Sequence, residues 1–302
     1  MKKLTVVLAL FALALASPGA QSSGAVEETK ATLRGHVLTL INRDRALYNL
    51  PPVQLDVQAS AIGDEYCREQ IRNRTTGHFT TDGYAPYMRY SLAGGNHGVS
   101  ENAAAWSANY TFSDRALYEM ARRSQDAMMA EAAPNDGHKR TILDPHATHV
   151  GIGLAWEKGE FRLVHEFVRR YVDWSHALPR ATRADERVAA TGRALPGAKI
   201  EAVTVHYERN PETMPAHVAS AIDSYSLPDK RREIHPSRRG DLRVLSDGKF
   251  SLDVPFTEGP GIYTVVLWVS REGVKQPVAA SNVSIRVEGA LQSYSRASAA
   301  GR

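Results

Sequence analysis

The chain of 302 residues holds a single cysteine, Cys67, so no disulfide can close within it. Small secreted domains usually compensate for a thin core with several bridges. A chain this long with one thiol must instead rest on its own core, in the manner of a bacterial exported protein. Cys67 falls in a helical pattern and reads as a small core residue. Charge of one sign is also lacking. The balance of 37 Lys and Arg against 33 Asp and Glu gives +4, and no basic stretch interleaves with aromatics. Those two absences exclude a nucleic-acid surface. Long apolar runs are nearly absent too. Leu4–Ala16 is too short to span a bilayer, follows Lys2-Lys3 and leads into Ser17-Pro18-Gly19-Ala20. Residues 1–20 therefore read as a Sec-type signal peptide, with cleavage after Ala16, Ala20 or Ala25. No transmembrane anchor and no lipid-bearing cysteine near the junction are expected, so the mature chain is read as secreted or periplasmic. Gly-x-Ser-x-Gly is missing and Cys67 has no histidine neighbour, which argues against a nucleophilic hydrolase.

What is present divides into two halves. In the first, Leu33, Val37, Leu40, Ile41 and Leu47 recur at helical spacing, and the helix should stop before Leu50-Pro51-Pro52. Asp56 is a good N-cap for a second helix that buries Ala59, Ile62, Tyr66 and Ile71, and a third is predicted over 113–133. Strands are predicted over 99–105, 150–156 and 161–171, the last two joined by a turn at Glu157–Glu160. After about residue 190 the pattern becomes all-β. Alternation at 200–207, the Asp247-Gly248 turn, Phe250-x-Leu252-x-Val254, the apolar run Ile262–Val269 and Val283-x-Ile285-x-Val287 suit a small Ig-like β-sandwich. The polar stretch 210–240 reads as a long loop. The expected organisation is a signal at 1–20, a first domain at 27–175, a linker at 176–192, a β-sandwich at 193–290 and a disordered tail at 291–302.

Four stretches of the first half carry candidate chemistry. They are Gly77-His78-Phe79-Thr80-Thr81-Asp82-Gly83, Ser100-Glu101-Asn102, Gly137-His138-Lys139-Arg140-Thr141-Ile142-Leu143, and Val150-Gly151-Ile152-Gly153. In that order they resemble the bacterial branch of the CAP superfamily (the SCP domain, of cysteine-rich secretory, antigen 5 and pathogenesis-related type). The upstream LINRDRALYNLPPVQLDVQASAIGDEYCREQ is similar to that family's opening helices, and Phe167 sits where its closing strand carries an aromatic. The resemblance covers about residues 30–172. It implies an α+β fold overall: a CAP-type α-β-α sandwich with an open cleft, here followed by the all-β sandwich.

Carried over residue by residue, the resemblance makes His78 and His138 the two cleft histidines and Glu101 the first acid, with Asn102 beside it. The family's second acid follows a tryptophan that DAMMAEAAPNDGH lacks, and Glu131 is the occupant this sequence offers. Some members bind a divalent cation such as zinc, which would assign His78, His138 and Glu101 as metal ligands; no cofactor follows from the residues alone. Two imidazoles with one or two carboxylates suit an open zinc site or an acid–base pair. The competing reading is a polar cluster that ties loops to the sheet. His138 lies sixty positions after His78, so only the fold can unite them.

Other candidates are weaker. His146 and His149 follow the Asp144-Pro145 turn signal and read as loop surface. His165-Glu166-Phe167-Val168-Arg169 puts Arg where a zincin needs its second histidine, and its alternation marks a strand. His97, after Gly94-Gly95, is read as part of a mobile loop beside the cleft. The leading functional expectation is a non-enzymatic extracellular binding protein whose ligand is a lipid, small molecule, glycan or protein. The alternatives are a zinc-assisted hydrolase using the same cleft, and surface adhesion through the β-sandwich, with Trp268 and tyrosines as platforms.

Overall fold

The computed structural model describes residues 18–289. The tail expected at 291–302, and the expected signal apart from residues 18–20, lie outside them. The first half runs α1 (Pro18–Leu47), β1 (Gln54–Leu55), α2 (Val57–Asn73), α3 (Pro86–Leu92), β2 (Gly98–Ser107), α4 (Asp114–Ala130), α5 (Gly137–Ile142), β3 (His149–Glu157) and β4 (Glu160–Arg169). Its sheet has the order β1-β3-β4-β2, antiparallel except for the short parallel β1.

Two apolar layers explain the sandwich. Leu33, Val37 and Ile41 of α1 and Leu117 of α4 meet Leu154, Phe161, Leu163 and Phe167 in one core. On the other face α2 sets Tyr66 and Cys67 against Val164, while α3 packs Tyr87, Met88 and Tyr90 near Val99 and Val168. Asp56 caps α2 as expected, accepting from the Ala59 N–H at 3.0 Å. The helix then lies directly on the sheet because it meets glycine with glycine. A Cβ on Gly153 would stand 2.2 Å from the Gly63 carbonyl carbon. Leu47 departs from its expected place and is 75 % exposed, because α1 ends there and its last turn overhangs the sheet.

The second half runs β5 (Val172–His176), β6 (Ala181–Arg183), β7 (Arg187–Ala194), β8 (Ala198–Glu208), α6 (Ala216–Ala221), β9 (Arg231–Ile234), β10 (Leu242–Val244), β11 (Lys249–Pro255), β12 (Gly261–Arg271) and β13 (Val278–Glu288). A four-stranded sheet, β10-β11-β7-β5, faces a five-stranded one, β6-β13-β12-β8-β9, across a single core that includes Ala190, Leu252, Val254, Val265 and Ile285. Residues 176–192, expected as a bare linker, instead carry β6 and most of β7, since the chain enters the sandwich as soon as it leaves β4. The expected loop at 210–240 likewise contains α6 and β9.

The outer face of the five-stranded sheet is covered by α3. Ile262 joins the Tyr87–Met88–Tyr90 cluster, and the buried Ser91 hydroxyl accepts from the Ser284 N–H at 2.9 Å. The turn before β2 is clamped as well. Asn96 O accepts from Trp174 Nε1 at 3.2 Å and from the Ser281 hydroxyl at 2.7 Å, while Arg180 donates to Gly95 O at 2.9 Å. At Gly98 the halves touch backbone to backbone, and a Cβ there would lie 2.1 Å from Ala279 O.

A pair of alanine substitutions checks this reading. Gly98→Ala must push the Ala279 carbonyl aside and should cost about 1–3 kcal/mol. Gly35→Ala, on α1 with nothing within 4 Å of its added methyl, should stabilise by about 0.5–1 kcal/mol through helix propensity. Urea unfolding midpoints should therefore move in opposite directions, and equal shifts would contradict the close contact at Gly98.

Candidate functional site

His78 stands on the crossing from α2 to α3, and the preceding backbone is pinned from α2. Gly77, at φ 82°, presents its carbonyl to Tyr66 OH at 3.0 Å and Gln70 Nε2 at 2.9 Å. Only glycine takes that left-handed conformation at low cost. His78 Nδ1 lies 2.9 Å from Glu101 Oε1, and the second Glu101 oxygen accepts from Arg89 of α3. The Arg89 guanidinium also rests 3.4 Å from the centre of the Tyr66 ring. The Glu101 side chain is wholly buried. Burial works against its charge, but Arg89 and then the His78 contacts hold its carboxyl below the usual range.

Directly across the ladder, Glu101 pairs with Glu166 of β4. Glu166 is fully buried and neither carboxyl oxygen finds a hydrogen-bond partner. Burial, followed by the neighbouring Glu101 charge, pushes its carboxyl well above the ordinary value. The two carboxyls of the pair are thus shifted in opposite directions, Glu101 down beside Arg89 and Glu166 up. His165, the next residue back along β4, points to the opposite face of the sheet, and burial lowers its imidazole to about 3.

The second imidazole comes from the other side of β2. Glu131 ends α4, and its carboxylate accepts from His138 Nδ1 and from the His138 N–H at 3.0 Å at the start of α5. Asn102 donates from Nδ2 to His138 O at 3.0 Å. The His78 and His138 rings end 6.2 Å apart between centres. The fold thus brings His78, Glu101, Asn102, Glu131 and His138 to one place, as two carboxylate-backed imidazoles. In the neutral imidazole, donation from Nδ1 to a carboxylate leaves Nε2 as the acceptor nitrogen.

As a three-ligand metal site, His78, His138 and Glu101 do not fit. Both Glu101 oxygens are committed to His78 and Arg89, and among the described residues no three His, Cys, Asp or Glu side chains gather around a point that would hold an ion. His97 also departs from its expected place. It does not line the cleft, and burial followed by Arg170 lowers it to about 4.

The cleft is a cavity of about 1130 Å³ whose walls come from both halves. His78, Asn102 and His138 form one end, and Asp144, His146 and Arg169 the other. His146, expected as loop surface, faces the cavity because the 274–279 segment of the sandwich covers that turn. Arg169 is set by Asp144 Oδ2 at 2.8 Å and the Ser100 hydroxyl at 2.7 Å. The opposite wall holds Trp268 and a strap, 223–225, from between α6 and β9. Tyr225 of that strap meets the His78 ring edge to face, with ring centres 5.1 Å apart, and accepts from the Glu101 N–H at 2.6 Å. Sequence reasoning missed Arg89, Glu166 and Tyr225. The alternation that puts Glu166 on the Glu101 face was legible, whereas nothing in the sequence marks Arg89 or Tyr225.

Residues 38–167 match the CAP family, described as the cysteine-rich secretory protein family, and the chain carries a CAP domain over that span. Similar solved structures include an outer surface protein from Borrelia burgdorferi, at 17 % identity and TM-score 0.38, covering 46 % of this chain and 93 % of that one. An extracellular SCP-domain protein from Bacillus anthracis is similar at 17 % identity and TM-score 0.33, covering 45 % of this chain and 41 % of that one. No curated protein matches the chain.

Glu166 provides a test of the site's charge state. Its carboxyl is raised above the ordinary 4.5 of the unfolded chain. Its contribution to stability is therefore complete below pH 4.5 and is lost as pH rises toward the folded value. Glu166→Gln, which copies the protonated acid, should match wild type near pH 4 and gain stability over it as pH rises above 4.5. Unfolding free energies measured across that range check this; a constant difference would mean that the folded protein holds Glu166 ionised.

Proposed function

We propose that the protein is an exported, non-enzymatic binding protein whose ligand occupies the cleft between the CAP domain and the β-sandwich. The composite cavity carries this reading. At about 1130 Å³ it slightly exceeds the roughly 300–1,000 Å³ of ordinary small-molecule sites. The histidine end is organised for holding. Each Nδ1 is fixed by a carboxylate, which presents Nε2 as a hydrogen-bond acceptor in a set orientation. Cys67, wholly buried, has its thiol pushed up by that burial and serves packing. The run Leu4–Ala16 after Lys2-Lys3 supports export, and the CAP domain passes directly into the sandwich between β4 and β5.

The test uses full-length mature protein. Retention on separated peptidoglycan, lipid and protein fractions of a bacterial envelope should select one fraction, and His138→Ala should reduce that retention about tenfold. Turnover of peptides, esters or peptidoglycan by wild type, abolished in His138→Ala, would overturn the proposal in favour of a hydrolase.

A further inference from the structure

The chemistry of the cavity wall identifies a ligand class. We infer that the cleft takes a neutral oligosaccharide, with one sugar ring laid against Trp268 and the chain running toward His78 and His138. This rests on the proposed binding role of the cleft and names what it binds.

Three observations carry the inference. The first is charge. Each cation lining the cavity already has an acid: Arg169 meets Asp144 at 2.8 Å and Arg140 meets Asp136 at 3.0 Å. Glu101 and Glu131 are likewise paired, with Arg89 and His78 and with His138. An anionic ligand finds no free cation and would meet Asp223. Among the remaining polar groups, Asn135, Thr141, Ser224 and Gln276 are neutral and both donate and accept. Such groups match hydroxyls, which do the same.

The second is the aromatic wall. Trp268 is half-buried at the cavity, and its indole N–H is satisfied by Thr204 Oγ1 at 2.9 Å. Among the described residues no aromatic ring or cation stacks on it. A fixed indole at the cavity wall, with no aromatic ring or cation stacked on it among the described residues, suits the C–H face of a pyranose, whose hydroxyls then point outward to the polar rim. A lipid tail would find only short aliphatic partners on this wall, where Val274, Pro277, Val278 and Ala279 line the cavity.

The third is that strand addition by a peptide at the β2 edge is blocked. An extended peptide can bind by adding a strand to a free sheet edge. The β2 edge borders the cleft, and its N–H groups there are already taken. Val99 N donates to Asn282 Oδ1 at 2.7 Å and Glu101 N to Tyr225 OH at 2.6 Å.

The experiment titrates the full-length protein with cellohexaose, chitohexaose and laminarihexaose, followed by calorimetry and tryptophan fluorescence. At least one should bind at micromolar concentration. Trp268→Ala should weaken binding about tenfold, and Trp268→Phe should return it to within about threefold. Melting curves establish that each variant folds. If Trp268→Ala does not fold, Gln276→Ala on the same wall, an exposed position, replaces it with an expected loss of about threefold. Unchanged affinity in the folded Trp268 or Gln276 variants overturns the placement. If no hexasaccharide binds at millimolar concentration while envelope lipid or protein is retained in a His138-dependent way, the glycan assignment fails and the binding role stands. If that retention is also absent, both fail.

Discussion

The structure depends on how one sheet edge is closed. β2 is a ten-residue edge strand of the CAP sheet, and such an edge offers unpaired N–H groups to any passing strand. Here two successive outward N–H groups, of Val99 and Glu101, are met by the side chains of Asn282 and Tyr225 from the sandwich. Leaving either donor buried and unpaired would cost about 1–3 kcal/mol, so the halves are committed to one another at this edge. The cavity follows from the same closure. Next to the sealed stretch, the sandwich stands away from the His138 end of the sheet, and the gap between them is the cleft.

The charges behind the cleft obey the same economy of partners. Three ionisable side chains meet behind the cleft: Glu101 and Glu166, both buried, and the largely buried Arg89. A buried charge persists only if it is matched. Arg89 and Glu101 match each other, and Glu166, with no second cation beside it, is pushed toward its protonated form. The ionised Glu101 then accepts from His78 and fixes its ring. The cluster is both of the things the sequence left open: a tie between loops and sheet, and a support that aims an imidazole into the cavity.

How much of this was legible follows from which interactions are local. The amphipathic helices, the Asp56 cap and the strand alternation are properties of adjacent residues, and they appear where expected. His78, Glu101 and His138 were found because ordered motifs recur together, and geometry joined them. Arg89 and Tyr225 escaped because each is defined by a partner on another element, Arg89 beside His78 and Tyr225 across the domain boundary. His146 was misplaced for a related reason. Asp144-Pro145 predicts a turn, and a turn predicts exposure, unless a second domain lies over it. The stretch 210–240 looked like loop because its structure, a six-residue helix and a four-residue strand, is too short to show a period.

The aromatic wall and the strap are tied together by one chain of hydrogen bonds. Trp268 Nε1–H donates to Thr204 Oγ1, Thr204 lies 2.9 Å from His206 Nε2, and His206 Nδ1 lies 2.7 Å from Pro228 O. A carbonyl oxygen only accepts, so Nδ1 carries the proton. The neutral ring then leaves Nε2 to accept the Thr204 hydroxyl. Burial lowers the His206 imidazole from its ordinary value, which keeps that tautomer in place at neutral pH. The relay runs from the tryptophan on the cavity wall to the base of the strap that carries Tyr225. The sandwich therefore presents both aromatics from one hydrogen-bonded frame, and the CAP sheet presents both imidazoles from another.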